Sequence, residues 1–338
     1  MTGVRTSPGA VSKGATRVEI GLSAAIVSVC RDEPMIMCVP TSVDGALVDV
    51  LPSGPFSPTE HRTLDTGLRT WVAEQTDLDL GYVEQLYTFG DRGRHAQPFD
   101  QTPHTVSIGY LALTRQPLES DDAQDGAVWK SWYDFFPWED WRQGKPALLT
   151  DEIEPRLNEW CERVDTEINP YRTSSRKQRV RVAFGIDGGA WDEERVLDRY
   201  ELLYEAGLIE EARRDGREAA LTWGPVPRFG TAMQFDHRRI LATGIGRLRG
   251  KLKYRPVVFE MMRDEFTLFE LQKTVEAILG PHLHKQNFRR LVESAGLVEP
   301  TGDVRAKTGG RPAKLYRFRR EVLLERPAPG VRVKPGRA

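Results

Sequence analysis

The chain has 338 residues, of which 39% are hydrophobic and 29% charged, and its net charge is −1. These values are typical of a globular protein with two or three domains. No apolar run reaches the roughly 20 residues that span a bilayer, and residues 1–17 have the composition of a disordered leader and not of a secretory signal. Cys30, Cys38 and Cys161 follow neither a zinc-ligand nor a disulfide pattern, so we expect a cytoplasmic protein without a metal site.

Strand and helix patterns alternate between residues 18 and 145, which predicts an α+β domain. Residues 18–30 and 35–40 are rich in apolar and β-branched side chains and flank the turn RDEP, so they predict two paired strands. Residues 58–75 place apolar or small residues at helical spacing. Two further strands are predicted, at residues 82–89 and 105–114.

The middle segment, residues 146–230, carries weaker signals. Residues 179–186, RVRVAFGI, favour a strand, and the stretch WDEERVLDRYELLYEAGLIEEARR favours a helix with a turn at Gly207. The phrase LLYEAGLIEE resembles the end of a helix-turn-helix unit. The other interpretation is a helical or mixed insertion that packs on neighbouring domains or forms a dimer contact.

Three helices and a hairpin are predicted between residues 231 and 325, the order of a winged helix-turn-helix. Residues 237–252 form the first helix, with Arg and Lys over much of its remaining surface. The second, residues 266–280, begins with Thr267 and Glu270 as a capping box and ends at a glycine. The third covers residues 283–296, and the hairpin and a flexible tail at 326–338 follow.

Positive charge is concentrated in residues 281–320, which hold ten Lys or Arg against three acids and so favour a polyanionic partner. In the third helix the apolar residues form one stripe, which leaves cationic and amide side chains exposed. Arg can bind guanine, Asn and Gln can bind adenine, and Lys neutralises phosphate. The candidate DNA-binding residues are Lys285, Gln286, Asn287, Arg289 and Arg290 on the helix, and Arg305, Lys307, Arg311 and Lys314 on the hairpin.

Other partners fit the same basic surface. A solvated basic helix and loop would need no partner, and the hairpin could dock on an acidic protein. RNA is less favoured than double-stranded DNA because no run of aromatic residues lies on an exposed strand.

The stretch around residues 51–78 resembles a degenerate Nudix box, in which acids on a loop–helix–loop bind Mg²⁺ for pyrophosphate hydrolysis. Gly54 matches the opening glycine of the box, and Glu60 and Glu74 match two of its acids. Trp71 and Gln75 stand where the family has two further acids. An amide supplies no charge to hold Mg²⁺, so the box implies neither a metal site nor hydrolysis. Thr70 at the arginine position, Asp77 at the closing glycine and two extra residues after Glu60 are further departures.

Together with the C-terminal motifs, this box makes the chain similar to the Nudix-related transcriptional regulators of NAD metabolism. The resemblance is to the NrtR-like family, in the longer architecture of its NadQ-type relatives. It is carried by YVEQLYTFGD, VSIGYLALT, FDHRRIL, FTLFELQKTVEAIL, NFRRLVES and GRPAKLYRF.

The resemblance implies a Nudix-like α/β/α sandwich at 18–145 joined to the winged helix. It also implies a homodimeric repressor that binds a palindromic operator of NAD biosynthesis or salvage genes. No cofactor is required, and a nucleotide effector (NAD, ADP-ribose or ATP) is expected in the Nudix cleft. The candidate effector-binding residues are Gly54, Glu60, Glu74, Arg92 and Arg94. The alternative is an active Nudix pyrophosphatase that uses Glu60 and Glu74 on ADP-ribose or a related dinucleotide.

Overall fold

The computed structural model describes residues 18–43, 45–91, 104–115, 126–163, 174–306, 312–325 and 330–331. Within them the chain forms a mixed sheet with helices on both faces, a helical middle segment and a C-terminal helix–helix–hairpin unit. The expected leader, residues 1–17, and nearly all of the expected tail lie outside the described residues. None of the helices in this described part is both long and apolar enough to span a membrane.

The sheet has the order β3-β2-β1-β6-β5, with β4 added beside β1 and β7 beside β2. Its central pair, β1 and β6, is parallel, and the other pairs are antiparallel. Arg31 and Asp32 both have positive φ, which matches the tight turn that joins β1 to β2. The strands are β1 (Val18–Cys30), β2 (Glu33–Val43), β3 (Ala46–Val50), β4 (Ser53–Pro55), β5 (Tyr82–Phe89), β6 (His104–Leu113) and β7 (Val128–Ser131). All four predicted strands of this part are confirmed.

Helix α1 (Leu64–Thr76) covers one face of the sheet, where Leu68 and Val72 pack with Leu22 and Ile26 of β1. The helix begins six residues later than the pattern at 58–75 indicated. Thr63 is extended and its hydroxyl accepts the N–H of Thr66, which caps the helix at that point.

Helix α8 (His237–Leu252) covers the opposite face. Ala25, which alternates with Leu22 and Ile26 along β1, belongs to the core on this side, and a Cβ at Gly109 would lie 2.9 Å from Ile240. The expectation that this helix opens the winged helix is therefore corrected, because it packs as the second outer layer of the sandwich. Its arginines are also not all on the surface, since Arg238 and Arg249 are 1% and 0% exposed.

The middle segment is helical. The strand predicted at residues 179–186 is wrong, because Ser175 and Gln178 form a capping box and Gly185 ends helix α4 in the left-handed conformation. The turn at Gly207 is confirmed, with φ +74°. After α2 (Trp132–Phe135) and a 3₁₀ turn (Pro137–Glu139), the helices are α3 (Glu154–Glu162), α4 (Arg176–Phe184), α5 (Val196–Glu205), α6 (Glu210–Arg214) and α7 (Glu218–Leu221).

From the second predicted helix onward, the C-terminal unit follows the predicted order. The capping box of Thr267 and Glu270 and the glycine that follows the last turn, Gly280, are both present at the ends of α9. Phe266 forms an isolated antiparallel bridge to Tyr316, which attaches the segment before α9 to the hairpin. The elements are a 3₁₀ turn (Val257–Met261), α9 (Leu268–Leu279), α10 (Lys285–Ser294), β8 (Val298–Arg305), β9 (Ala313–Phe318) and α11 (Val322–Glu325).

One apolar core connects these parts. It runs from Ala25 and Leu111 of the sheet through Trp160 and Tyr200 of the middle segment to Val275 of α9. The domain limits at 145, 230 and 325 stay predictions, and among the described residues this continuous core joins the units that they define.

Candidate nucleic-acid interface and effector cleft

Helix α10 presents a polar surface to solvent and an apolar stripe to the core. Phe288 and Val292 are 3% and 0% exposed and anchor the helix, with Leu291 partly buried beside them. The burial of this stripe fixes which way the remaining side chains face. The structure leaves all five predicted helix residues exposed: Lys285, Gln286, Asn287, Arg289 and Arg290.

The hairpin contributes unequally to this surface. Lys314 of β9 is exposed, whereas Arg305 of β8 is partly buried and its guanidinium donates to the carboxylate of Glu270 on α9. The predicted contacts Lys307 and Arg311 lie outside the described residues. Of the four predicted hairpin residues, one is therefore placed as an open cation and one as a partner of α9.

The turn between α9 and α10 is held by two polar residues that sequence reasoning missed. Gln272 Nε2 donates to Leu283 O at 2.9 Å, and Glu276 Oε1 accepts the Leu283 N–H at 3.0 Å. Burial opposes ionisation of Glu276, but the hydrogen bonds from Leu283 and Gln272 outweigh it and hold the pKa of Glu276 below its ordinary value. Both side chains are nearly buried, at 6% and 3% exposure. A polar residue on a helix gives no sequence signal for such a role.

In the stretch that resembles a Nudix box, the indole of Trp71 packs over Gly54. A Cβ at Gly54 would lie 2.3 Å from the Trp71 ring, so no larger residue fits without displacing the indole. Trp71 Nε1 also donates to Pro55 O at 2.9 Å, and the ring of His61 meets it edge-on. An aromatic side chain therefore fills the space beside the opening glycine of the box.

Gln75 likewise has a structural partner. Its Nε2 donates to Ser53 O at 2.8 Å, and its Oε1 accepts the Ser53 N–H at 3.0 Å. This pair of hydrogen bonds ties α1 to β4. Asp77, at the position of the family's closing glycine, ends α1 with φ +54°.

The donor set of this cleft does not fit Mg²⁺. Glu60 and Glu74 are both exposed, Gln75 is neutral and engaged, and no group of three metal-ligating side chains is found among the residues described. Arg92 and Arg94, predicted to contact an effector, lie outside the described residues. The structure thus brings Gly54 together with Trp71 and leaves Glu60 and Glu74 on the surface of the loop and helix.

A cavity of about 470 Å³ lies elsewhere, between β7 and the segment before α8. Burial raises the pKa of Asp134 at its edge, and Lys130 is held by both oxygens of Asp49 at 2.7 and 2.8 Å. The volume of the cavity lies in the range of small-molecule sites. No sequence pattern indicates this cavity, because its lining comes from two distant segments: Trp129, Lys130, Ser131, Asp134, Arg228, Gly230 and Thr231.

The FDHRRIL motif connects the sheet to the middle segment. His237 Nδ1 accepts the Leu51 N–H at 2.9 Å, and Arg238 forms an ion pair with Glu211 at 3.1 Å. Arg239 pairs with Asp91 at the end of β5 at 2.6 Å. These polar residues of the motif therefore hold elements together.

A buried charge cluster joins the sandwich to α9. Glu139 accepts hydrogen bonds from Arg199 and Arg249, and all three side chains are 0% exposed. Arg249 Nε also donates to Ile278 O at 2.8 Å, and the Tyr133 hydroxyl donates to Ala277 O at 2.8 Å. Both carbonyls belong to the last turn of α9, where helix carbonyls lack partners of their own. Residues of α2 and α8 thus complete the C-terminal end of α9.

Comparison with known proteins assigns the C-terminal unit. A family model described as the NrtR DNA-binding winged helix domain matches residues 258–318. Residues 258–318 form an NrtR-type winged-helix domain. An 86-residue stretch is 43% identical to the ADPR responsive transcriptional repressor NtrR of Acinetobacter baylyi. That match spans 25% of this chain and about a third, 34%, of the length of the relative.

Over 90% of its length the chain is similar in fold to a solved NrtR structure. It is similar to the crystal structure of Shewanella oneidensis NrtR, with a TM-score of 0.52 and 19% identity over 90% of this chain and 95% of that one. The same protein complexed with a 27mer DNA gives a TM-score of 0.51 at 19% identity, over 90% and 94% of the two chains. The expected fold, an α/β/α sandwich followed by a winged helix, is confirmed.

Proposed function

We propose that the chain is a DNA-binding transcriptional repressor of NAD biosynthesis or salvage genes in the cytoplasm, with an N-terminal domain that senses a nucleotide. One observation carries the proposal. The NrtR-type winged helix exposes Lys285, Gln286, Asn287, Arg289 and Arg290 along one helix, the side-chain types that read base edges and phosphates.

A homodimer would place two copies of α10 in successive major grooves of a palindromic operator. The relative from Acinetobacter baylyi is named for its response to ADPR, so ADP-ribose is the effector we favour over NAD and ATP. The effector would act through unequal affinity for two arrangements of the dimer, because equal affinity shifts no equilibrium.

We also propose that the sandwich does not hydrolyse its effector. Trp71 fills the space over Gly54 and Gln75 is bound to Ser53, so the side chains in place of two acids hold α1 to the neighbouring loop. Incubation of the protein with ADP-ribose and Mg²⁺ should release no AMP. Measurable Mg²⁺-dependent cleavage that is abolished by Glu74→Gln would restore the pyrophosphatase alternative.

The DNA-binding proposal is tested by selecting duplexes from a random-sequence pool with the full-length chain, followed by titration of the best duplex. Arg290→Ala should weaken binding by about tenfold to hundredfold if Arg290 contacts a base, which costs roughly 1–3 kcal/mol. Binding of ADP-ribose, measured as the rise in melting temperature when the ligand is added, should be the same in this variant and in the parent chain.

Arg195→Ala is the matched control, since Arg195 lies at the surface of the middle segment with its side chain 39% exposed. It should bind the duplex as the parent does. Recovery of no enriched duplex, or equal losses for Arg195→Ala and Arg290→Ala, would refute the proposal.

A further inference from the structure

Glu270 serves two parts of the winged helix at once. Its Oε2 accepts the Thr267 N–H at 2.7 Å, and the Thr267 hydroxyl accepts the Glu270 N–H at 3.1 Å, which caps α9. The other carboxylate oxygen, Oε1, accepts a hydrogen bond from Arg305 Nη1 at the end of β8. One side chain therefore fixes both the start of a helix and the outer part of the hairpin.

The inner and outer parts of the hairpin are attached to the helices by different means. At the inner part, Phe266 and Tyr316 exchange backbone hydrogen bonds of 2.9 and 2.8 Å. The register then shifts between Pro300 and Val304, so the outer pairs are separated from the inner ones by an irregular stretch. The ion pair of Arg305 with Glu270 lies beyond that irregularity and links the outer part to α9.

The charge on Arg305 is also compensated by a neighbouring carboxylate. The side chains of Arg305 and Glu270 are 32% and 41% exposed, and their charges neutralise each other. Lys314, opposite Val304 on β9, is exposed and forms no ion pair with any described residue. Among the described residues of the outer part, the two cations therefore differ: Arg305 is compensated by a carboxylate, and Lys314 is open to a phosphate.

We propose that Arg305 is a positioning residue that holds the wing against α9 through Glu270, and that Lys314 is the phosphate contact of this part of the hairpin. The inference rests on the proposed DNA-binding function. It predicts that the loss of Arg305 weakens DNA binding because the wing is misplaced. The number of counterions released on DNA binding should stay the same.

The test compares Arg305→Gln, Glu270→Gln and Lys314→Gln in the full chain. The substitution Glu270→Gln keeps the capping box but removes the charge that holds Arg305. Affinity for the selected duplex is measured by fluorescence anisotropy over a range of KCl concentrations. A lost phosphate contact lowers the slope of log K against log salt by about 0.9.

Lys314→Gln should reduce the slope by that amount. Arg305→Gln and Glu270→Gln should each weaken binding several-fold at an unchanged slope, and the double variant should be no worse than either single one. Arg305→Lys, which can still pair with Glu270, should recover most of the affinity. A slope lowered by Arg305→Gln together with normal binding by Glu270→Gln would show that Arg305 is a phosphate ligand and would overturn the proposal.

A measurement without DNA separates this inference from the proposed function. Amide hydrogen exchange of residues 298–305 in the full chain should become faster in Glu270→Gln and stay unchanged in Lys314→Gln. Unchanged exchange in both variants would refute the positioning role even if the chain bound no DNA, whereas absence of DNA binding by the parent chain would refute only the proposed function.

Discussion

At the scale of single residues, the altered Nudix box has a physical explanation. In the resemblance to a Nudix box, Trp71 and Gln75 stand where the family has acids, and chemistry alone predicts that they cannot hold Mg²⁺. The sequence does not predict which contacts these two side chains make, because their partners, Gly54 and Ser53, are set by the three-dimensional path of β4. The glycine is required here for the indole that lies against it.

Gly54→Ala should destabilise the protein strongly, because the new methyl group would lie 2.3 Å from the Trp71 ring. We expect a loss of about 1–3 kcal/mol, the usual cost of overpacking. Thermal unfolding of Gly54→Ala, Trp71→Ala and the double variant measures the effect. The alanine at 54 should cost much less in the Trp71→Ala background. Equal costs in both backgrounds would contradict the steric explanation.

At the scale of elements, predictions succeeded where the signal was local. Thr267 with Glu270 and Gly280 delimited α9, and alternating apolar residues located the strands. Helix α4 was missed because its alternating Arg and Val residues imitate a strand, while its capping box begins before the apolar residues. Helix α8 was found, but its partners were not, since helical periodicity shows that a face is buried and not what buries it.

The 3₁₀ turn that ends at Glu139 should make the fold sensitive to acid. Burial opposes ionisation of Glu139, but Arg199 and Arg249 outweigh it, so its pKa lies below the ordinary value of 4.5. Its contribution to stability is therefore complete above the ordinary value and is lost as the pH falls through the lowered one. The lowered pKa values of Glu270 and Glu276 act in the same direction.

Glu139→Gln should cost about 3–5 kcal/mol at neutral pH, because two buried guanidiniums lose their counter-charge. The variant should also lose less stability than the parent on acidification. Urea unfolding followed at about pH 7 and about pH 4 gives both quantities. Glu152→Gln is the control: Glu152 forms a partly exposed pair with Arg156, and its loss should cost under about 1 kcal/mol. Similar losses for both variants would contradict the role of the buried cluster.

At the scale of the whole molecule, the winged helix contacts the sandwich through the C-terminal end of α9. Tyr133 and Arg249 bind the last carbonyls of α9, across sequence separations of 144 and 29 residues. The family motifs predicted both domains, but no periodic pattern relates residues so far apart. The contacts of Tyr133 and Arg249 with α9, and the cavity beside β7, could be found only from the three-dimensional structure.

Tyr133→Phe should weaken the effect of ADP-ribose on DNA binding, because it removes one hydrogen bond between the sandwich and α9 and preserves the shape of the side chain. DNA affinity measured with and without ADP-ribose gives the coupling, typically about 1–3 kcal/mol in allosteric proteins. Tyr204→Phe removes a comparable bond, to Asp215, within the middle segment and should leave the coupling unchanged. An unaltered coupling in Tyr133→Phe would exclude this contact as a route of communication.

The buried cluster around Glu139 also constrains how the protein is made. Glu139 leaves the ribosome 60 residues ahead of Arg199 and 110 residues ahead of Arg249. At roughly 5–20 residues per second, the second guanidinium arrives about 5–20 s after the carboxylate. Until then the ionised carboxylate of Glu139 has a lower free energy in water than in an apolar interior. We therefore expect the N-terminal segments to keep a hydrated side around Glu139 during synthesis until α8 has been translated.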